Sequence, residues 1–95
     1  MAGFELGQVV ATPAALEKIE EAGQGVGEFL DRHAAGDWGD LGADDKATNE
    51  AALQDGSRLF SKYHTRLGEP IWIITEAVGD DGKRASTCIL LPSEY

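Results

Sequence analysis

The residues best suited to chemistry form an acidic cluster near the middle of the chain. It contains Asp37, Asp40, Asp44 and Asp45, followed by Glu50. Closely spaced oxygen ligands can bind Ca²⁺ or Mg²⁺, but the spacing lacks the alternating series and terminal glutamate of an EF-hand loop. Asp44 is instead predicted to cap a helix, and Asp45 to lie in its first turn, where the helix dipole favours negative charge. We therefore predict no metal site and interpret these residues, with Trp38, as a binding surface.

His33, His64 and Cys88 are the other candidates for metal binding or nucleophilic catalysis. A zinc site needs three or four converging ligands, and a reactive cysteine needs stabilisation of its thiolate. Cys88 lies in a stretch typical of a strand that enters the core, where cysteine usually behaves as a small apolar side chain. His33 is predicted to be half-buried at a helix C-terminus, where positive charge is favourable, and His64 to be exposed on a strand. No catalytic residue is assigned.

Two further patterns resemble nucleic-acid or nucleotide signatures. Arg58, Lys62 and Arg66 recur at every fourth position of a predicted strand, with aromatic residues between them. Such a stripe suits phosphate contacts and base stacking, but the acidity of the chain favours solvated charges that pair with the acidic helices. The glycines of residues 23–27 follow a G-x-G-x-G pattern between two helices, whereas the dinucleotide fingerprint requires a preceding strand. We interpret them as a linker.

Three short helices are predicted to position these residues. The first begins at Thr12 and Pro13, because threonine caps free backbone N–H groups and proline fits the first turn. It ends at Gly23, a residue suited to a left-handed stop. The second helix is predicted over about 26–35, and the third over about 44–54.

Two parts of the helical half carry specific packing predictions. Trp38 lies in a glycine-rich loop, and we predict that it folds back onto the domain as an anchor. In the third helix, Ala47, Ala51 and Leu53 form the predicted core-facing set.

The second half of the chain has the pattern of strands. Residues 57–65, 69–78 and 85–91 are rich in aromatic and β-branched residues and are separated by short turns, which predicts an antiparallel meander. A further short strand is predicted at 6–11, at an edge of the sheet. The expected fold is α+β, with three helices on one face of a three- to four-stranded, mostly antiparallel sheet. The middle strand is apolar on both faces, which is the sequence argument for a homodimer.

Composition limits the classes of partner. The 95 residues are expected to form one domain, and their 42% hydrophobic and 26% charged content is typical of a globular chain. The net charge is −9, and residues 1–50 carry −8 of it, with eleven Asp/Glu against three Lys/Arg. This acidity disfavours direct binding to nucleic acid and to anionic membranes. One cysteine and no recognisable signal segment predict a cytoplasmic protein, and no cofactor is predicted.

Four segments resemble a family of short bacterial proteins that are often labelled plasmid-related and have no established function. The segments are LGQVVATP (6–13), GDWGDL (36–41), WIITEA (72–77) and ILLPSEY (89–95). The resemblance covers nearly the whole chain. It implies a prokaryotic cytosolic protein associated with mobile DNA, and it implies no particular activity.

Three hypotheses for function follow. The first is a non-enzymatic protein whose acidic helical face binds a basic protein surface, in its sharpest form a nucleic-acid mimic that inhibits a restriction or other defence factor. The second is a dimeric regulatory or antitoxin-like module that acts through its sheet face. The third, and least favoured, is a small metal-dependent hydrolase that uses Asp37, Asp40 or His33.

Overall fold

Three helices and a four-stranded sheet make up the fold, in a computed structural model that describes residues 4–95. In chain order the elements are β1 Gln8–Ala11, α1 Pro13–Glu21, α2 Val26–Ala34, α3 Ala43–Asp55, β2 Leu59–His64, β3 Pro70–Thr75 and β4 Ser86–Leu90, followed by a 3₁₀ turn at Pro92–Glu94. The predicted α+β arrangement is confirmed. Within residues 4–95, no helix is both long and apolar enough to cross a bilayer.

The start and end of α1 follow the predicted signals. The Thr12 hydroxyl accepts a hydrogen bond from the Ala15 N–H at 3.1 Å, and Pro13 occupies the first turn. Gly23 has a φ of 70°, which a residue with a side chain rarely adopts. The helix therefore ends where the sequence indicates.

The predicted start of α3 is wrong. Its cap is Gly42, and Asp44 lies in the first turn with Asp45 instead of capping the helix. A glycine cap satisfies no N–H group through a side chain, so the two aspartates stabilise the helix start through the dipole alone.

The predicted core face of α3 is right at Leu53, which packs against the core, and wrong at the two alanines. Ala47 and Ala51 are exposed, and the helix buries Asn49 and Ala52. Asn49 faces inward because its amide pairs with the backbone of β2: Nδ2 donates to the Phe60 carbonyl at 2.6 Å, and the Phe60 N–H donates to Oδ1 at 3.1 Å. Apolar spacing could not reveal a helix position that is buried for hydrogen bonding.

The sheet has the strand order β1-β4-β3-β2. Strands β2, β3 and β4 form the predicted antiparallel meander, and β1 lies parallel to β4 at the edge. Side chains alternate between two faces of the sheet. The core face carries Leu59, Ser61, Tyr63, Ile71, Ile73, Thr75, Thr87 and Ile89, all of them buried.

All three helices pack on that core face. Ala15 and Ile19 of α1 and Phe29 of α2 form one cluster with the core isoleucines. Ala52 of α3 forms a second cluster with Leu59, joined by residues of the loop before α3. The molecule therefore has one helical layer, and the opposite face of the sheet lies outside the main core.

Candidate functional site

The helical half and the strand half of the molecule carry different charge. We call residues 13–55, which contain α1, α2 and α3, the helix layer. It holds eleven Asp/Glu and three Lys/Arg, a net charge of −8, whereas residues 56–95 hold five of each. The exposed carboxylates on its three helices before the last turn of α3 are Glu17, Glu20, Glu21, Glu28, Asp31, Asp44, Asp45 and Glu50.

Little of this charge is neutralised within the described residues. Of the helical carboxylates just named, only Glu21 lies within ion-pair distance of a cation, at 4.0 Å from Lys18 Nζ. The two loop aspartates are paired: Asp37 with Arg32 at 2.7 Å, and Asp40 with His64 at 2.6 Å. The hydrogen bond from Arg32 lowers the pKa of Asp37. The open negative charge therefore belongs to the helices more than to the loop.

Trp38 belongs to the core, as expected of an anchor. Its side chain is 3% exposed and packs against the rings of Phe4 and His33. Its indole Nε1 donates to Glu50 Oε2 at 2.8 Å, so the loop is fastened to α3. Of the six predicted binding residues, Trp38 and Glu50 are thus in direct contact. Asp37 and Asp40 lie beside Trp38 in the loop, and Asp44 and Asp45 lie at the start of α3.

His33 is at the centre of a buried hydrogen-bond chain. Its Nδ1 lies 2.5 Å from the Ser61 hydroxyl and its Nε2 lies 2.8 Å from the Thr75 hydroxyl. Thr75 in turn contacts the Thr87 hydroxyl at 2.7 Å, and Thr87 donates to the Leu6 carbonyl at 2.6 Å. The four side chains are wholly buried, so the chain crosses the core from β2 to the segment before β1.

The end of this chain determines the protonation of His33. A carbonyl can only accept, so the one hydroxyl proton of Thr87 points to Leu6, and Thr75 must donate to Thr87. Thr75 then accepts from Nε2–H of His33, whose bare Nδ1 accepts from Ser61. Burial lowers the pKa of His33 to about 4. The prediction of a half-buried histidine favoured by positive charge is therefore wrong: His33 is wholly buried and neutral.

The residues of the hydrolase hypothesis do not converge. His33 and Ser61 have the contact of a base and a nucleophile, but both are wholly buried, and no substrate can reach them in this conformation. Asp37 instead forms an ion pair with Arg32 at the surface, and Asp40 contacts the His64 ring there. Within residues 4–95, no group of three or more His, Cys, Asp or Glu side chains is placed to hold a metal ion.

Cys88 does not enter the core as predicted. It is half-buried on the face of β4 opposite the helices, since Thr87 and Ile89 occupy the core face. Burial raises the pKa of its thiol, so the thiolate needed for nucleophilic attack is scarce at neutral pH. The side chain acts as part of the packing of that face.

The face of the sheet opposite the helices, which we call the second face, carries an aromatic group. Trp72 lies with ring centroids 4.9 Å from Phe60 and 5.5 Å from Tyr95, and Arg58 donates to the Tyr95 hydroxyl at 2.5 Å. With Ile74 these side chains line a shallow cavity of about 170 Å³. The C-terminal residues therefore cover only part of the second face.

Sequence reasoning missed the polar core and one buried cation. Ser61, Thr75 and Thr87 lie on the core face of their strands. Because alternate residues of a strand share a face, the apolar pattern could have placed them there. Arg84 is 6% exposed and donates to the carbonyls of Ala52, Ser57 and Glu76. Its guanidinium donates to a carbonyl in the last turn of α3, and no local sequence pattern predicts that contact.

A comparison with protein-family models, curated proteins and solved structures finds no match to this chain.

Proposed function

We propose that the protein is a non-enzymatic interaction module whose helix layer binds a basic protein surface. One observation carries the proposal: the helix layer lies on one face of the sheet, residues 13–55 hold a net charge of −8, and most exposed carboxylates on its helices have no ion-pair partner within the described residues. Apart from the helix-dipole contribution of Asp44 and Asp45, unpaired surface carboxylates repel one another and do not favour the compact state. They do accelerate and orient association with a positively charged partner.

The sharpest form of the proposal is a nucleic-acid mimic. Proteins that bind DNA or RNA present clustered lysine and arginine to phosphates, and a layer of exposed carboxylates offers a similar field. The partner would then be a nucleic-acid-binding protein, and the effect would be inhibition. The resemblance to plasmid-related proteins suggests a counter-defence role in a bacterium.

The test begins with capture of proteins from the host at low salt. Because the contact is mainly between exposed charges, the bound protein should be basic and should elute as salt is raised. For the mimic, duplex DNA should compete for the same partner. A bound protein that is indifferent to salt would contradict the electrostatic account.

A second candidate function is supported by the second face. Phe60, Trp72 and Ile74 are only half-buried there, and a regulatory or antitoxin-like dimer would cover them. Sedimentation of the protein at micromolar concentration tests this: the hypothesis expects a dimer that dissociates when Trp72 is replaced by Ser. A monomer at every concentration would reject it.

A further inference from the structure

The two edge strands of the sheet, β2 and β1, differ in whether their outward backbone groups have hydrogen-bond partners. At the β2 edge, Asn49 pairs with both backbone groups of Phe60. The Lys62 N–H donates to the Trp38 carbonyl at 3.1 Å, and the Lys62 carbonyl accepts from Asp40 N–H at 2.7 Å. The outward backbone groups in the middle of β2 are therefore satisfied, and no other strand can add there.

The β1 edge has no such cover within the described residues. The N–H groups of Gln8 and Thr12 donate to the carbonyls of Ala85 and Ile89, each at 3.0 Å. Because backbone groups alternate along a strand, those of Val9 and Ala11 point away from β4, and none of residues 4–95 forms a hydrogen bond with them.

The β1 edge also lacks the devices that usually block strand addition. Such edges are commonly protected by lysine, proline, a bulge or a covering segment. Gln8–Ala11 contains no charge and no proline, its register with β4 is unbroken, and Val9 and Val10 are 41% and 42% exposed. The edge is open and partly apolar.

The charges around β1 indicate what kind of strand fits it. Residues 6–16 carry no charge, but carboxylates bracket them: Glu5 precedes the strand, Glu17 follows in α1, and Glu94 accepts from the Thr12 hydroxyl at 2.7 Å. Arg58 and Lys62 lie at the opposite edge of the sheet. Addition of β1 from a second copy would place like carboxylates against the carboxylates around β1, whereas a strand with basic flanks would complement them.

We propose that the free edge of β1 binds, by strand addition, an extended segment of the partner protein that carries Lys or Arg on either side of apolar residues. Hydrogen bonds to Val9 and Ala11 hold the segment, and its alternate side chains pack beside Val10 on the second face. The basic character of the segment rests on the proposed function, in which the partner is a basic protein. Strand addition at β1 specifies where that partner binds and that its segment is extended.

The test uses a displayed library of random linear peptides screened against the whole protein. We expect the enriched peptides to combine β-forming residues with Lys or Arg flanks, and their binding to protect the amides of Val9 and Ala11 from hydrogen exchange. Val9→Pro removes an N–H that β4 does not use, a change that edge strands tolerate, and should weaken binding about tenfold or more. Val9→Thr keeps the N–H and should bind nearly as the parent does.

Three results would overturn the proposal. One is that no peptide is enriched, and another is that enriched peptides protect a different segment of the chain. The third is that the Val9 and Ala11 amides are already protected in a dimer of the parent protein, since the occupant would then be a second copy. If Val9→Pro fails to fold, the exchange measurement on the parent decides.

Failure of this inference can be separated from failure of the proposed function. A partner that is released by neutralising the helix layer but bound normally by Val9→Pro would remove strand addition and keep the acidic surface. The reverse result would keep the docking edge and remove the electrostatic account.

Discussion

Replacing Trp38 with alanine is expected to lower the free energy of unfolding by about 3–5 kcal/mol, the cost of deleting a large buried side chain. The indole is 3% exposed, packs against Phe4 and His33, and fastens the loop to α3 through Glu50. A small domain has only about 5–15 kcal/mol of stability, so the variant should lose a large fraction of it. Urea denaturation followed by circular dichroism measures the loss.

Two matched variants separate the contribution of the Trp38 ring packing from that of its hydrogen bond to Glu50. Trp38→Phe keeps an aromatic ring in the core but loses the Nε1 donor and part of the indole packing, so it should cost about 1–3 kcal/mol, less than Trp38→Ala. Glu50→Gln keeps an acceptor on an exposed residue and should cost less than about 1 kcal/mol. If Trp38→Ala were as stable as the parent protein but unable to bind the partner, Trp38 would be a recognition residue and the anchor interpretation would be wrong.

The stability of the fold is expected to fall by about 3 kcal/mol between pH 6.5 and pH 4 through His33 alone. Burial lowers the pKa of His33 from 6.5 to about 4. Between these two pKa values His33 is protonated in the unfolded chain and neutral in the folded chain. The contribution of neutral His33 to the free energy of unfolding is therefore present above pH 6.5 and is lost as pH falls. Below pH 4 it should level off.

The control for this prediction is His33→Gln, which does not titrate. Every other titratable group is the same in both proteins, so the difference in free energy of unfolding between parent and variant isolates His33. The parent should lose its advantage progressively from pH 6.5 to pH 4. A difference that stays constant across this range would mean that His33 is charged in the native state or reachable by water.

Much of the fold was predictable because local signals and tertiary packing agree. The Thr12-Pro13 start, the Gly23 stop and the antiparallel meander all follow from backbone preferences that act within a few residues. The doubly apolar middle strand also appears as expected, with Ile71 and Ile73 in the core.

The errors occur where a residue is placed by a distant partner. Asn49 is buried because β2 needs hydrogen bonds at its edge, and its position on α3 gives no apolar signal. His33 looks like a helix-terminal residue, yet hydroxyls from three strands form a chain around it. These partners lie 11 to 42 positions apart in sequence and in different elements, beyond the reach of periodicity within one element.

The predicted binding residues illustrate the same division. Counting carboxylates located the charge in the first half, and the structure places the three helices that carry most of it on one face of the sheet. Sequence could not reveal that Asp37 and Asp40 are paired while Asp44 and Asp45 are not. The open charge on the helices is therefore the stronger part of the candidate surface.

Binding of the captured partner to charge-neutralised variants tests the acidic surface most directly. The test variant combines Glu17→Gln, Glu20→Gln, Glu28→Gln, Asp44→Asn and Asp45→Asn, all at exposed helical positions without ion pairs in the described structure. A control removes four carboxylates from the strand half, at Glu69, Glu76, Asp80 and Asp81, and keeps Glu94 because it lies beside β1. Exposed pairs contribute about 0.3 kcal/mol each, so the account predicts about tenfold weaker binding at low salt for the first variant and little change for the second. Equal affinity for the two variants would contradict it.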